Sequence, residues 1–245
     1  MIQTLDAPKI IPQGDAALVV EFGRAIDRAV SERVTALAAA VMAAAIPGVR
    51  EAVPTFRSLL IHYDPLVLDF DALAARAETL AATAGTVRRR ARLVHMPVCY
   101  DEDLGPDLAE AAAHAGLSRA DAQRLHASVD YHVYMLGFAP GLPYLGDLPE
   151  PLRMPRLATP RVRVPARSVG IASALSTIYP LEIPGGWRLI GAVPVELFDL
   201  ARDPPALLRP GDRVRFRPVA RAAFDDLRAA FAAGAGVLEI EEAAS

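Results

Sequence analysis

The stretch GFAPGLPYLGDLPEPLRMPRLATPRVRVPARSVGIASALSTIYPLEIPGGWRLIGAVP, Gly137–Pro194, decides the fold class of the C-terminal part of this chain. It carries 10 of the 21 prolines, 7 of the 16 glycines and the only tryptophan, Trp187. Proline fixes φ and glycine admits φ > 0, so this backbone is set turn by turn. A helix cannot absorb so many prolines, and a flexible linker would not interleave so many apolar residues. The stretch therefore reads as folded and non-helical, with short strands at Val162–Val164, Val169–Ala172, Ile178–Leu181 and Leu189–Ile190. Val195–Leu200, the turn Pro210-Gly211-Asp212 and Val214–Pro218 continue the pattern, which is that of a small barrel or sandwich.

Upstream, Leu93–Val98 reads as a strand ending at Cys99, and Tyr131–Leu136 as a strand entering the Pro/Gly stretch. Gly105-Pro106-Asp107 opens a helix to about His114, and Ser118-x-x-Asp121 resembles a capping box for a helix to His126. Phe224–Phe231 is a last helix before a short acidic tail. The N-terminal part has a different rhythm. Ala17–Phe22 is a strand, and Asp27 caps a helix whose stripe is Val30, Val34, Leu37 and Val41. Pro47-Gly48 stops it; strands Val49–Val53 and Ser58–Tyr63 follow; Asp69 or Asp71 caps a second helix through Ala84. The order β-α-β-β-α resembles a ferredoxin-like sandwich. The polar run GTVRRRAR, Gly85–Arg92, places a domain boundary near Arg90, giving domains 1–90 and 91–245. Its arginines have no interleaved aromatics, so it reads as a solvated linker and not as a nucleic-acid patch.

The chain has 245 residues, 53% of them hydrophobic and 22% charged, with net charge −3. That is the composition of a globular protein with ample core, and it does not fit a bulk polyanion binder. The lone Cys99 excludes an internal disulfide and points to a reducing cytosol. No secretion-type segment is visible, and Val34–Ile46 is too short to span a bilayer. The expectation is a soluble cytoplasmic protein without nucleic-acid or membrane partners.

The Pro/Gly stretch has no His, Cys or Lys; its charged residues are Asp147, Glu150, Glu182 and six arginines. A basic patch on an acidic chain points to an anionic ligand or an acidic partner surface, and arginine's planar fork suits carboxylate and phosphate. Arg153, Arg163 and Arg188 read as solvated or internally paired, whereas Arg156 and Arg161 each follow a proline in MPRLATPR and are pre-set. Pro184-Gly185-Gly186-Trp187 is either an anion-binding nest or a tight turn with a packed tryptophan, and Gly137-Phe138-x-Pro140-Gly141 is open to the same two readings. The five histidines show no metal spacing, so no metal is expected, and neither a Walker loop nor GxGxxG is present. No catalytic residue is identified. The candidate substrate- or anion-binding residues are Arg156, Arg161, Ser168, Tyr179, Gly185, Gly186 and Trp187.

Blocks along nearly the whole chain resemble the allophanate hydrolase subunit 1 family, also called the KipI or PxpB family. They are GFAPGLPYL (Gly137–Leu145), MPRLATPRVRVPA (Met154–Ala166), SVGIA (Ser168–Ala172), IYPLEIPGGWRLIG (Ile178–Gly191) and LLRPGDRVRF (Leu207–Phe216). GDAALVVEFG (Gly14–Gly23), PTFRSLLIHYDP (Pro54–Pro65) and MPVCYDEDLGPDL (Met96–Leu108) extend the likeness to the N-terminal half. The resemblance implies a ferredoxin-like α+β domain followed by an all-β cyclophilin-like barrel of the carboxyltransferase C/D kind. It implies a B-type component of an ATP-dependent 5-oxoprolinase, which opens 5-oxo-L-proline to L-glutamate. Such a component works with a second, homologous-fold subunit, on a small carboxylate, with ATP and Mg bound at a shared site. Two other roles attach to the same family: inhibition of a sensor histidine kinase, and subunit 1 of an allophanate hydrolase or urea amidolyase system. The family commonly reads PAGS-x-x-IAG-x-QTGIYP; Arg167, Ser173, Leu175, Ser176 and Thr177 depart from it, Arg167, Ser173 and Thr177 standing where glycine is common and Leu175 where glutamine is. Leu142 likewise stands where phenylalanine is common.

Overall fold

The computed structural model describes residues 4–84 and 91–243. The basic run expected to mark the boundary lies outside these residues through position 90. Two compact units result, one from residues up to Arg90, the other Ala91–Ala243.

The first unit is an antiparallel sheet with two helices. Its strands are β1 (Thr4–Pro12), β2 (Ala17–Gly23), β3 (Val49–Pro54) and β4 (Ser58–Tyr63), in the order β1-β2-β4-β3. Helix α1 (Arg28–Ala43) starts where the Asp27 carboxylate accepts the Val30 N–H at 3.1 Å; α2 (Phe70–Ala84) starts where Asp69 accepts that of Ala72 at 2.8 Å. Val30, Val34, Leu37 and Val41 recur at helical spacing and are buried against Leu18, Val20 and Phe22 of β2 and Leu59 and Ile61 of β4. Each such side chain contributes roughly 1.5–3 kcal/mol by burial. Strand β1 is a correction to the sequence reading. Pro8, Lys9 and Pro12 hide its pattern, and the ladder tolerates them because β1 is an edge.

The second unit is a mixed structure around an eight-stranded sheet. In chain order its elements are β5 (Ala91–Val98), α3 (Leu108–His114), α4 (Arg119–His126), β6 (Tyr131–Leu136), β7 (Pro143–Leu145), β8 (Arg161–Val164), β9 (Ser168–Ala172), β10 (Leu175–Ile178), β11 (Ile183–Gly185), β12 (Arg188–Ala192), β13 (Arg213–Pro218), α5 (Arg221–Ala232) and β14 (Ile240–Ala243). The sheet order is β12-β9-β10-β7-β6-β13-β5-β14, and β8 and β11 form a separate two-stranded ribbon. Two expectations are corrected. The unit is not all-β, since three helices belong to it, and Leu108, Ala111, Ala112 and Ala122 of α3 and α4 enter its core. Nor is it a closed barrel. The acidic tail is strand β14, which pairs with Ala91–Val94 and occupies the edge of β5 that closure would need. Among the described residues the two ends of the curl meet in one isolated bridge, where Cys99, just beyond β5, exchanges two 2.9 Å backbone hydrogen bonds with Ala192 of β12.

Alternation gives the β9–β10–β12 part of this sheet two covered faces. Val169, Ile171, Ile178 and Ile190 point into the main core; Ala172, Leu175 and Leu189 lie in a second cluster with Leu142, Val164, Tyr179 and Trp187. The strand expected at Ile178–Leu181 falls instead at Leu175–Ile178, because the chain leaves the sheet at Pro180 to build the ribbon. Ser173 and Ala174 form the two-residue hairpin between β9 and β10, and Ser173 has φ +51°. Arg167 has φ +70°. Both sit where glycine is common in the family and adopt the left-handed backbone that glycine tolerates; Thr177, the third such position, does not. Replacing Ser173 by glycine is expected to add about 1 kcal/mol of stability, read as a Tm about 2–4 °C higher in a thermal melt. An unchanged Tm would show that the serine is not strained.

Candidate functional site

Trp187 organises the second cluster. It is 7% exposed, and Gly170 of β9 underlies it: a Cβ there would lie 3.1 Å from the Trp187 Cβ. Tyr144 on β7 meets the indole edge-on with ring centroids 6.2 Å apart. The Arg156 guanidinium lies over the indole ring, 5.6 Å from its centroid. Tyr179 is buried alongside, and burial pushes its hydroxyl above the usual tyrosine range. A hydrogen bond with the Trp187 backbone and the charges of Arg156 and Arg161 pull the other way.

The structure thus brings Arg156, Arg161, Tyr179, Gly185, Gly186 and Trp187 into one neighbourhood. Ser168 shares the β9 face of Gly170 and Ala172; it is 4% exposed, and its backbone carbonyl accepts the Tyr179 N–H at 2.9 Å. The chemistry of these residues differs from the sequence expectation in two respects. The first concerns Arg161. Its guanidinium donates to Asp107 Oδ1 at 2.6 Å and to the Trp187 carbonyl at 3.4 Å, while Asp107 Oδ2 accepts the Leu189 N–H at 2.6 Å. Arg161 is therefore a clamp between the ribbon, the start of α3 and β12. The second concerns the glycine pair. Neither Gly185 nor Gly186 has a positive φ, so their amides do not form a left-handed nest. Gly185 is required for close approach: a Cβ there would lie 2.3 Å from the Tyr179 hydroxyl.

Arg163 pairs with Glu182, Arg167 with Glu196 and Arg188 with Glu110, and Arg153 Nε donates to the Leu148 carbonyl at 3.0 Å. Arg156 is exposed and, among the described residues, its guanidinium has no carboxylate partner. It is the cation of the wall available to a ligand. The departures on β10 face inward. Thr177 Oγ1 donates to the Pro143 carbonyl at 2.7 Å, Leu175 packs on the Trp187 cluster, and Ser176 enters a buried network. There Tyr100 O–H donates to His126 Nδ1 at 2.7 Å, leaving Nε2–H toward Ser176 Oγ at 3.3 Å, which donates to the Gly170 carbonyl at 3.2 Å. Sequence reasoning gave Tyr144 and this network no role and read Asp107 only as opening a helix; its side chain makes no cap hydrogen bond there. The alternation of PYL with Tyr144 outward was the available signal for the first; the others depend on contacts remote in sequence.

Two other features carry less chemistry. His95, Glu239 and Glu241 place ligand-type atoms within 4.8 Å of one another. Arg217 Nε donates to His95 Nδ1 at 2.9 Å, which leaves Nε2–H for Glu241 Oε1 at 2.7 Å and no imidazole lone pair for a cation. An apolar hollow of about 300 Å³ in the first unit, lined by Ala44, Ile46, Ala75, Arg76, Thr79 and Leu80, lacks convergent polar groups. Among the described residues no helix is long and apolar enough to cross a membrane.

A family model for the carboxyltransferase domain, subdomain C and D, matches residues 8–208. The chain belongs to this carboxyltransferase family. The likeness read from its sequence blocks is confirmed. The chain is 40% identical over 214 residues to the B subunit of 5-oxoprolinase from Bacillus subtilis, covering 83% of this chain and 89% of that protein. It is 57% identical over 128 residues to the B subunit of 5-oxoprolinase from Escherichia coli O157:H7, covering 52% of this chain and 59% of that protein. The solved structure of TTHA0988 aligns with TM-score 0.75 at 41% identity, over 83% of this chain and 40% of that one. This family member therefore spans only part of the length of those last two relatives. Urea amidolyase of K. lactis aligns over 96% of this chain and 16% of its own, with TM-score 0.78 at 20% identity, a likeness of fold.

Proposed function

We propose that this chain is the B-type component of an ATP-dependent 5-oxoprolinase, acting with a homologous-fold partner in the cytoplasm. The observation that carries the reading is the 40% identity to a protein of that name across 89% of its length. The wall around Trp187 supports it chemically. A small cyclic carboxylate offers an anion for Arg156 and an apolar ring face for Trp187 and Tyr144. We read the first unit as ferredoxin-like, the edge beside β2 being filled by β1 from the N-terminal side, and the second as a cyclophilin-like sheet left open by β14. The domains are then 1–90 and 91–245.

The residues present do not fit a complete ATP site. Arg161 is committed to Asp107, and the Gly185-Gly186 amides lack a nest geometry. The carboxylates Asp107 and Glu182 are held by the ribbon arginines Arg161 and Arg163. In this reading the phosphate-binding groups, the Mg ligands and the acid–base groups come largely from the partner. This chain binds and orients the carboxylate and keeps water from one face of it.

Arg156→Gln tests the assignment in the assembled complex. Removing a charge-assisted pair costs about 1.5–3 kcal/mol, so kcat/KM for 5-oxo-L-proline should fall about 10- to 100-fold. The melting temperature should stay within about a degree, because Arg156 is exposed. Unchanged kinetics would reject Arg156 as the carboxylate anchor. An assembled complex without ATP-dependent release of glutamate would reject the function.

A further inference from the structure

We infer that Phe138 is a ligand-positioning residue of the Trp187 wall; this rests on the proposed small-carboxylate site. Phe138 combines two unfavourable features. Its backbone has φ +69°, and its side chain is 73% exposed. A bulky residue in the left-handed region is an outlier, and an exposed aromatic forgoes the burial that would offset it. Glycine would remove both costs at once.

The other left-handed non-glycine residues lack this combination. Ala45 is small, Asp147 and Ser173 are polar, and Arg167 is paired with Glu196. Among the described residues, no ring contact engages Phe138.

The loop holding it is not free to relax. Gly137 N–H donates to the Leu142 carbonyl and Leu142 N–H to the Ala139 carbonyl, each at 3.1 Å. Gly141 has φ +76° and backs tightly onto Phe198, whose Cβ would lie 2.9 Å from an added Cβ. The loop is also part of the wall. Ala139 and Leu142, on either side of the turn, pack on the cluster of Tyr179 and Trp187, and Tyr144 follows two residues later. Strained residues held by an over-determined surround are characteristic of ligand clamps. With Arg156 taking the carboxylate, Phe138 supplies the apolar surface that packs on the methylene face of the ring.

Trp187 is the only tryptophan and reports on the site directly. The full chain is titrated with 5-oxo-L-proline while its fluorescence is followed, for wild type, Phe138→Gly, Phe138→Leu and Arg156→Gln. Phe138→Gly should melt about 2–4 °C higher than wild type yet bind at least tenfold more weakly. Phe138→Leu should recover part of the binding without the gain in Tm. Binding by Phe138→Gly within twofold of wild type would overturn the role. So would a fall in its Tm of several degrees, which marks a packing residue. Loss of association with the partner while ligand binding stays intact would mark a docking residue and overturn it too. A wild-type signal abolished by Arg156→Gln but untouched by Phe138→Gly sinks this inference alone. A wild type silent to 5-oxo-L-proline sinks the site reading, and this role with it.

Discussion

Asp107→Ala should lower the stability of the second unit by about 3 kcal/mol. The Asp107 side chain is 10% exposed and uses both oxygens, one on Arg161 and one on the Leu189 N–H. Removing it orphans a buried backbone donor, which costs about 1–3 kcal/mol, and frees a partly buried guanidinium. Arg161 is 29% exposed and recovers some hydration, which keeps the total near the top of that range. Asp107→Asn retains an acceptor for Leu189 and should lose about half as much. Arg161→Ala leaves Asp107 its Leu189 bond but an uncompensated carboxylate, at a cost of about 2 kcal/mol. Urea denaturation of the single and double variants checks this. A coupling of about 1 kcal/mol or more is expected between the two sites. A loss below about 1 kcal/mol for Asp107→Ala would show that solvent reaches the pair and that Arg161 is free for a ligand after all.

Acid sensitivity should trace to His126. The ring is fully buried between Phe216, 4.6 Å between centroids, and Tyr131, 5.2 Å away, and burial lowers its pKa to about 3. In the unfolded chain a histidine protonates near ~6.5. Between those values the unfolded state carries one proton more than the folded state, so stability falls as pH falls. The loss is about 1.4 kcal/mol per unit, or about 2 kcal/mol at pH 5 relative to pH 7.5, and nothing is lost above ~6.5. His126→Gln cannot titrate. Its baseline stability should be lower, since the donor chain from Tyr100 to Ser176 is disturbed. Its drop between pH 7.5 and pH 5 should nonetheless be about 2 kcal/mol smaller than that of wild type. Equal drops in both proteins would mean that His126 does not titrate differently on folding.

These residues show where the sequence was legible. Asp27 and Ser118 were readable as helix starts, and Asp69 as one of two candidates, because a cap acts on a backbone N–H three residues away. Trp187, Tyr179 and Arg156 were readable as one wall because a short Pro- and Gly-punctuated segment brings them together. The pairing of Arg161 was not readable, since its partner lies 54 positions earlier and any of several arginines could have met it. The β10 departures were legible as departures, but not that Ser176 and Thr177 face buried partners, because strand register, unlike composition, selects which face each residue takes.

By itself, then, the amino-acid sequence determined the helices, most of the strands and turns, the change of rhythm near residue 90, and through its motif blocks the family. Each of these rests on interactions within a few residues or on the order of the blocks. Only the tertiary structure decided that the sheet stays open, that Arg161 is a clamp, that Arg156 has no carboxylate partner among the described residues, and that Phe138 is held exposed under strain. The first follows from β14 pairing with β5, where Glu241 meets His95 across 146 positions. The others follow from which side chains share a face once strands are in register. Such contacts gain their energy only after distant segments are brought together, and no local propensity encodes that.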